Sequence, residues 1–122
     1  MKVNEYSPLV LAYVGDAVYE LYVRKHITKD NNIQVDKLHK KAVSIVKSSA
    51  QANSFHLIEN MLTEEETAVF KRGRNAKSTV PKNSDMSEYK TATGLEALIG
   101  YIYLKGDIIR LDEIMNLILS EI

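Results

Sequence analysis

The stretch PLVLAYVGDAVY at residues 8–19 decides the fold, because it is apolar almost throughout and Asp16 is its only charged residue. Ser7 followed by Pro8 is typical of a helix start, since serine can cap free amides and proline at the first helical position loses no intrahelical hydrogen bond. We therefore predict a helix that runs to about His26. A helix that is apolar on nearly every side must be buried in the core or in a subunit interface, where an ionised carboxylate needs a cation or hydrogen bonds.

A second stretch, ATGLEALIGYIYL at residues 92–104, repeats this pattern with Glu96 as its only charged residue. A bound metal ion would satisfy both acids at once. The alternative is that each acid caps a neighbouring helix or pairs with a distant Lys or Arg. Small residues beside the acids would let the two helices approach closely; they are Gly15, Ala17, Gly94 and Ala97.

Glu20 lies one helical turn after Asp16 and is a candidate third ligand. Arg24 follows four residues later, so a solvent-facing ion pair is the alternative that we favour for Glu20. The three histidines show no metal-ligand spacing and lie near no candidate nucleophile in the sequence, so we assign them no chemistry.

The rest of the chain also has helical periodicity, and no segment alternates in the manner of a strand. A polar turn at 29–32 precedes an amphipathic helix, and helical signal then continues to Met61 with a break near Ser48-Ser49. Thr63 and Glu66 have the form of a capping box that opens a helix ending near Gly73. A long polar segment follows to about Met86. A helix from Ser87 to Leu104 then stops at Gly106, and an amphipathic helix through Leu111, Ile114, Ile118 and Ile122 closes the chain. We predict an all-helical fold and a single domain over residues 1–122.

Composition narrows the functional classes. The 16 basic and 16 acidic residues cancel, so any attraction to nucleic acid must come from a local patch. The absence of cysteine excludes disulfides and thiolate zinc sites, and it fits a reducing compartment, so we expect the cytoplasm. The apolar stretch at 8–19 is too short to span a bilayer and shows no cleavage pattern, so we predict neither a signal peptide nor a membrane segment.

One basic segment, residues 71–82, stands out at the end of the capping-box helix and beyond it. It carries five positive charges before the next acid, Asp85. Basic side chains, amides and hydroxyls on a loop suit contacts with phosphates, which position a protein on nucleic acid without reading bases. The alternative is a solvated surface loop. The candidate RNA-binding residues are Lys71, Arg72, Arg74, Asn75, Lys77 and Lys82.

Residues 11–18 resemble the signature motif of the ribonuclease III catalytic domain, and residues 96–104 resemble its second acidic motif in the expected order. The resemblance covers essentially the whole chain and leaves no length for the double-stranded-RNA-binding domain that usually follows. We therefore compare the chain with the compact Mini-III subfamily of ribonucleases. The segment Arg72-Gly73-Arg74-Asn75-Ala76-Lys77 also resembles that subfamily.

The resemblance implies an all-helical homodimer whose signature helices pack together and form a groove with a catalytic centre at each end. It further implies Mg²⁺-dependent hydrolysis of double-stranded RNA that leaves 5′-phosphate and 3′-hydroxyl ends. Asp16 and Glu96 match acidic residues of the family's catalytic and metal-binding centre. The implied cellular task is maturation of the large-subunit (23S) ribosomal RNA precursor, with a ribosomal protein or an assembly intermediate as a further candidate partner.

The chain departs from the family pattern at two positions. Ala12 and Thr93 occupy positions that are acidic in the larger relatives, so only two of four carboxylates remain. Mini-III enzymes are similarly reduced, which supports the subfamily and leaves the number of metal ions open. The departure also motivates an alternative function, a non-catalytic domain of the same fold that binds ribosomal RNA or an assembly intermediate. A plain helical dimerisation module is a third reading.

Overall fold

The computed structural model describes residues 1–122 and is built from helices alone, which confirms the all-helical prediction. Two short 3₁₀ turns, Val3–Glu5 and Glu59–Met61, accompany six α-helices. These helices are α1 (Pro8–Thr28), α2 (Val35–Val46), α3 (Ser48–Ile58), α4 (Glu64–Asn75), α5 (Met86–Lys105) and α6 (Ile108–Ser120).

Helix α5 lies at the centre of the molecule and packs chiefly against α1, α4 and α3. Its middle is buried on nearly every side, as the apolar stretch at 92–104 predicts. Leu95, Leu98 and Ile99 on α5 join the same core as Leu11 and Tyr19 on α1. One contiguous cluster of buried side chains therefore holds α1 and α5 together, and with them the two isolated acids.

The predicted helix boundaries are formed by local hydrogen bonds. The Ser7 hydroxyl accepts from the backbone N–H of Val10 at 3.3 Å, which caps α1. The capping box at α4 is complete, since Glu66 N donates to Thr63 Oγ1 at 3.1 Å and Thr63 N donates to Glu66 Oε1 at 2.9 Å. Gly106 ends α5 in the left-handed region at φ 83°.

Several boundaries differ from the prediction by one to a few residues; α1, for example, continues to Thr28 instead of ending at about His26. The break between α2 and α3 falls at Lys47 instead of at the serine pair. Helix α4 runs through Gly73 to Asn75, because Gly73 packs against α5 and this packing holds the last turn in place. Helix α6 ends at Ser120, so Ile122, which was predicted to lie on this amphipathic helix, falls beyond it and is exposed.

A largely buried ion pair fixes α6 against α4. Arg110 donates from Nε and Nη2 to the Glu66 carboxylate at 2.8 and 2.6 Å, and Nη2 also donates to the carbonyl of Met61 at 2.9 Å. Burial alone would raise the pKa of Glu66, but the hydrogen bonds from Arg110 and Thr63 lower it on balance. The bidentate geometry therefore joins the capping box of α4 to the last helix.

None of the six helices combines the length and the uninterrupted apolar character that crossing a bilayer requires.

Candidate active site

Helices α1 and α5 cross with their backbones in contact, and two glycines make this possible. A Cβ atom built on Gly15 would lie 1.7 Å from the carbonyl oxygen of Glu96. A Cβ on Gly100 would lie 1.9 Å from the carbonyl oxygen of Leu11. No side chain fits at either position, so the sequence places glycine where the helices meet. This crossing brings the turn that carries Asp16 against the turn that carries Glu96.

The two isolated acids lie side by side at this crossing. Burial, the neighbouring negative charge of Asp16 and a hydrogen bond with the Asp16 carboxyl together raise the pKa of Glu96 to about 8. The side chain of Gln51, from α3, acts in the opposite direction. A raised carboxyl pKa next to a second acid is the signature of two carboxylates that share one small space.

A single chain does not bury the face of α1 around Asp16, so of the two predicted locations, the core and a subunit interface, only the interface stays a prediction. Asp16 is exposed, and so are Tyr13 and Leu21 on the same helix. The physical reason is that α1 packs on its neighbours along one face only, which contains Leu11, Gly15, Val18, Tyr19 and Val23 among others. The apolar residues of the opposite face therefore remain uncovered in one chain.

Three buried polar side chains lie near Glu96, and sequence reasoning missed two of them, Gln51 and Ser54; the third, Tyr19, is packed in the core as its helical position predicts. Gln51 and Ser54 on α3 and Tyr19 on α1 are all buried. Burial raises the pKa of Tyr19, the nearby Ser54 side chain opposes this, and the charge of Glu96 adds to it. A signal was available: Gln51, Ser54, Phe55 and Ile58 follow the spacing of one helix face, so two polar residues occupy core positions.

The acids supply oxygen ligands, which Mg²⁺ prefers, and a divalent cation between them would offset the repulsion that raises the pKa of Glu96. No cluster of three or more acidic, histidine or cysteine side chains forms a metal site in the structure. The donor set therefore fits a Mg²⁺ ion held by two carboxylates, with water and substrate completing its shell. It does not fit a site made by the protein alone.

The two positions without an acid contribute packing instead of charge. Ala12 is buried on α1, and Thr93 is buried on α5, where its hydroxyl donates to the carbonyl of Tyr89 at 3.0 Å. Glu20 pairs with Arg24 at 3.4 Å, which confirms the ion-pair interpretation of that residue.

Much of the basic segment is helical, so the prediction of a loop that begins at Gly73 is wrong there. Lys71, Arg72, Arg74 and Asn75 lie on the last turns of α4, whereas Lys77 and Lys82 lie in the segment that follows. Arg74 lies 5.6 Å from the centre of the Phe70 ring, and its Nε donates to Asn75 Oδ1 at 3.2 Å.

The end of α4 lies beside the turn of α5 that carries Glu96. A Cβ on Gly73 would lie 2.7 Å from the Cβ of Ala97 and 3.0 Å from the Cα of Gly94. Gly73 therefore lies at the close contact between α4 and α5.

Comparison with known proteins gives a consistent result. Residues 9–107 match the sequence profile described as the ribonuclease III domain. The chain is 49% identical to the Mini-ribonuclease 3 of Clostridium tetani over 96% of this chain and 79% of that one. It is 51% identical to the Mini-ribonuclease 3 of a Thermoanaerobacter species over 91% of this chain and 79% of that one.

The fold is also similar to a crystal structure of a protein from Fusobacterium nucleatum. The two chains superpose with a TM-score of 0.89 at 34% identity, and the match covers 99% of this chain and 98% of the other.

Proposed function

The chain belongs to the ribonuclease III domain family, and on this premise we propose that it is a magnesium-dependent endoribonuclease that cleaves double-stranded RNA. The observation that carries the proposal is the paired arrangement of Asp16 and Glu96 at the glycine crossing of α1 and α5. These two residues are the proposed catalytic and metal-binding groups. The Mini-ribonuclease 3 relatives support the assignment by name and by similarity along most of the chain.

Asp16 and Glu96 would hold the ion, and the exposed Asp16 leaves its solvent side open to a phosphate. A bound Mg²⁺ supplies positive charge to the scissile phosphate and makes a water more acidic for in-line attack. Glu96 must lose its proton to act as a ligand, because only the carboxylate carries the charge that the cation needs. The buried backbone crossing keeps both carboxylates in place, so little reorganisation accompanies binding.

RNA binding would use the basic residues at the end of α4 and in the following segment. Side chains cannot enter the deep major groove of A-form RNA, so selection would rest on duplex shape, 2′-hydroxyls and phosphates. The proposed contacts are Lys71, Arg72, Arg74, Asn75, Lys77 and Lys82, and all but Arg74 are exposed.

A homodimer would cover the uncovered face of α1. On this face Tyr13 is 82% exposed and Leu21 is 68% exposed. Leu21 also lines an apolar groove together with Tyr103 and Ile108. Large exposed apolar side chains in one region mark a protein interface more often than a solvated surface. Packing two α1 helices across this face would set two acidic pairs on one dimer, one for each strand of a duplex.

The resemblance to the Mini-III subfamily, and not the geometry of the site, supports processing of a structured RNA precursor as the cellular task. We assign the large-subunit ribosomal RNA precursor as the substrate, with 5′-phosphate and 3′-hydroxyl ends as products and the cytoplasm as the compartment. A ribosomal protein bound to that precursor would be the natural accessory partner.

The test is cleavage of a duplex RNA by the purified protein in the presence and absence of Mg²⁺. The proposal predicts fragments with 5′-phosphate ends only when Mg²⁺ is present, and no cleavage of a single strand of the same sequence. Tight Mg²⁺-independent binding of the duplex without cleavage would instead favour the non-catalytic alternative, which the uncharged residues Ala12 and Thr93 motivate.

A further inference from the structure

Gln51 on α3 is a polar side chain in the core of the molecule. It is 2% exposed, and its amide Nε2 makes no hydrogen bond of normal geometry. Buried amide groups are nearly always paired, because an unpaired donor in the interior forfeits its hydrogen bonds to water. The buried amide therefore requires an acceptor among its immediate neighbours.

The surroundings of Gln51 point to that partner. Helix α3 packs against α5, and the Gln51 side chain lies close enough to Glu96 to stabilise its ionised form. Tyr19 on α1 is fully buried, and its hydroxyl also lacks a hydrogen bond of normal geometry. The charge of Glu96 contributes to the raised pKa of this hydroxyl. Two unpaired polar groups from two helices thus lie around the inner side of one carboxyl group.

We propose that Gln51 is a positioning residue that donates its Nε2 hydrogen bond to the Glu96 carboxylate when a divalent cation is bound. The inference rests on the proposed function, because it assumes that Glu96 is a metal ligand. The hydrogen bond fixes one carboxylate oxygen from the protein side and turns the other toward Asp16 and the cation. Partners of metal ligands act in this way, and their loss typically weakens metal binding by about 10- to 100-fold.

This role predicts opposite effects on two properties of the protein. Gln51→Met keeps the side chain's length and removes its unpaired amide, so the metal-free protein should unfold at an equal or higher urea concentration than the parent. The same variant should bind Mn²⁺ about tenfold more weakly or worse, measured by the loss of the free-ion signal in electron paramagnetic resonance. A purely structural role would move the urea midpoint downward instead.

Asn53→Met is the matched control, because Asn53 is an exposed amide on the same helix. It should leave both the urea midpoint and the Mn²⁺ affinity close to the parent values. Asp16→Asn serves as the reference for loss of a proposed ligand.

The outcomes separate this inference from the proposed function. Mn²⁺ binding by Gln51→Met within about threefold of the parent would overturn the role of Gln51, and so would a clear fall in its urea midpoint or a failure to fold. If the parent and Asp16→Asn bind Mn²⁺ equally, the metal site itself is wrong. Weaker Mn²⁺ binding by both Asp16→Asn and Gln51→Met, without loss of metal-free stability in Gln51→Met, would support the inference.

Discussion

The backbone of Gly15 rests on the carbonyl of Glu96, where a Cβ atom would lie only 1.7 Å from the oxygen. Gly15 directly precedes Asp16, so the closest point between α1 and α5 lies next to both acids. Helix axes that cross this closely require glycine on the contact surface. The same contact therefore supports the core and sets the separation of the two carboxyl groups.

Gly15→Ala should destabilise the protein by about 3 kcal/mol or more, at or above the upper end of ordinary overpacking, because backbone atoms cannot yield as a flexible side chain can. Gly106→Ala is the comparison, since a Cβ there has nothing within 4 Å and only the left-handed φ of 83° opposes it. That change should lower stability by about 1 kcal/mol. Urea unfolding measures both, and equal losses would contradict the close helix crossing.

Metal-free stability should fall as the pH rises from about 5 to 8. The pKa of Glu96 is raised from its ordinary 4.5 to about 8, so in this range the folded state holds a proton that the unfolded state releases. Folding then becomes less favourable with increasing pH, by at most about 1.4 kcal/mol per unit. The lowered pKa of Glu66 acts in the opposite direction and at more acidic pH.

Urea unfolding of the parent and of Glu96→Gln across this range measures the effect. The amide cannot titrate, so the variant should lose most of the slope. A parent whose stability rises steadily from pH 5 to 8 would be inconsistent with a protonated Glu96 in the metal-free fold.

Replacing Arg72, Arg74 and Lys77 by Gln should weaken duplex RNA binding and flatten its dependence on salt. By analogy with duplex DNA, each lost phosphate contact should reduce the log–log slope by about 0.9. The charge-matched control replaces Lys37, Lys40 and Lys41, which are exposed on α2. If the control flattens the slope as much as the α4 variant does, the basic segment is not a specific RNA contact.

Tyr13→Glu combined with Leu21→Glu should convert a homodimer into a monomer, because charge on the uncovered face of α1 opposes its burial. Val35→Glu on α2 is the control, since Val35 is 78% exposed but lies on another helix. Light scattering measures the mass of each variant. A parent that is already monomeric at assay concentration and still cuts both strands would refute the shared-groove arrangement.

The sequence predicted most of the helical boundaries because their signals are local, as with Ser7 at α1, Thr63 and Glu66 at α4, and Gly106 after α5. The pattern of an isolated acid beside small residues made Asp16 and Glu96 candidates for one site, and the resemblance of their motifs to the ribonuclease III family favoured that site over separate structural roles. The exposure of Asp16 was not predictable, because it depends on which side of α1 the other helices cover.

The environment of Gln51 was missed for a related reason. Periodicity shows that Gln51 shares a face with Phe55 and Ile58, but it does not show that this face meets Glu96 on a helix 45 residues further along. The extension of α4 past Gly73 is likewise a tertiary effect, because contact with Gly94 and Ala97 stabilises a turn that local propensity would end.

The most direct test of the account compares cleavage and binding of one duplex RNA by the parent and by Asp16→Asn in the presence of Mg²⁺. Asp16 is exposed and lies outside the core, so the variant should fold, dimerise and bind the duplex as the parent does. We expect Asp16→Asn to cut the RNA at least about 100-fold more slowly than the parent. Cleavage by Asp16→Asn at the parent's rate would contradict the account.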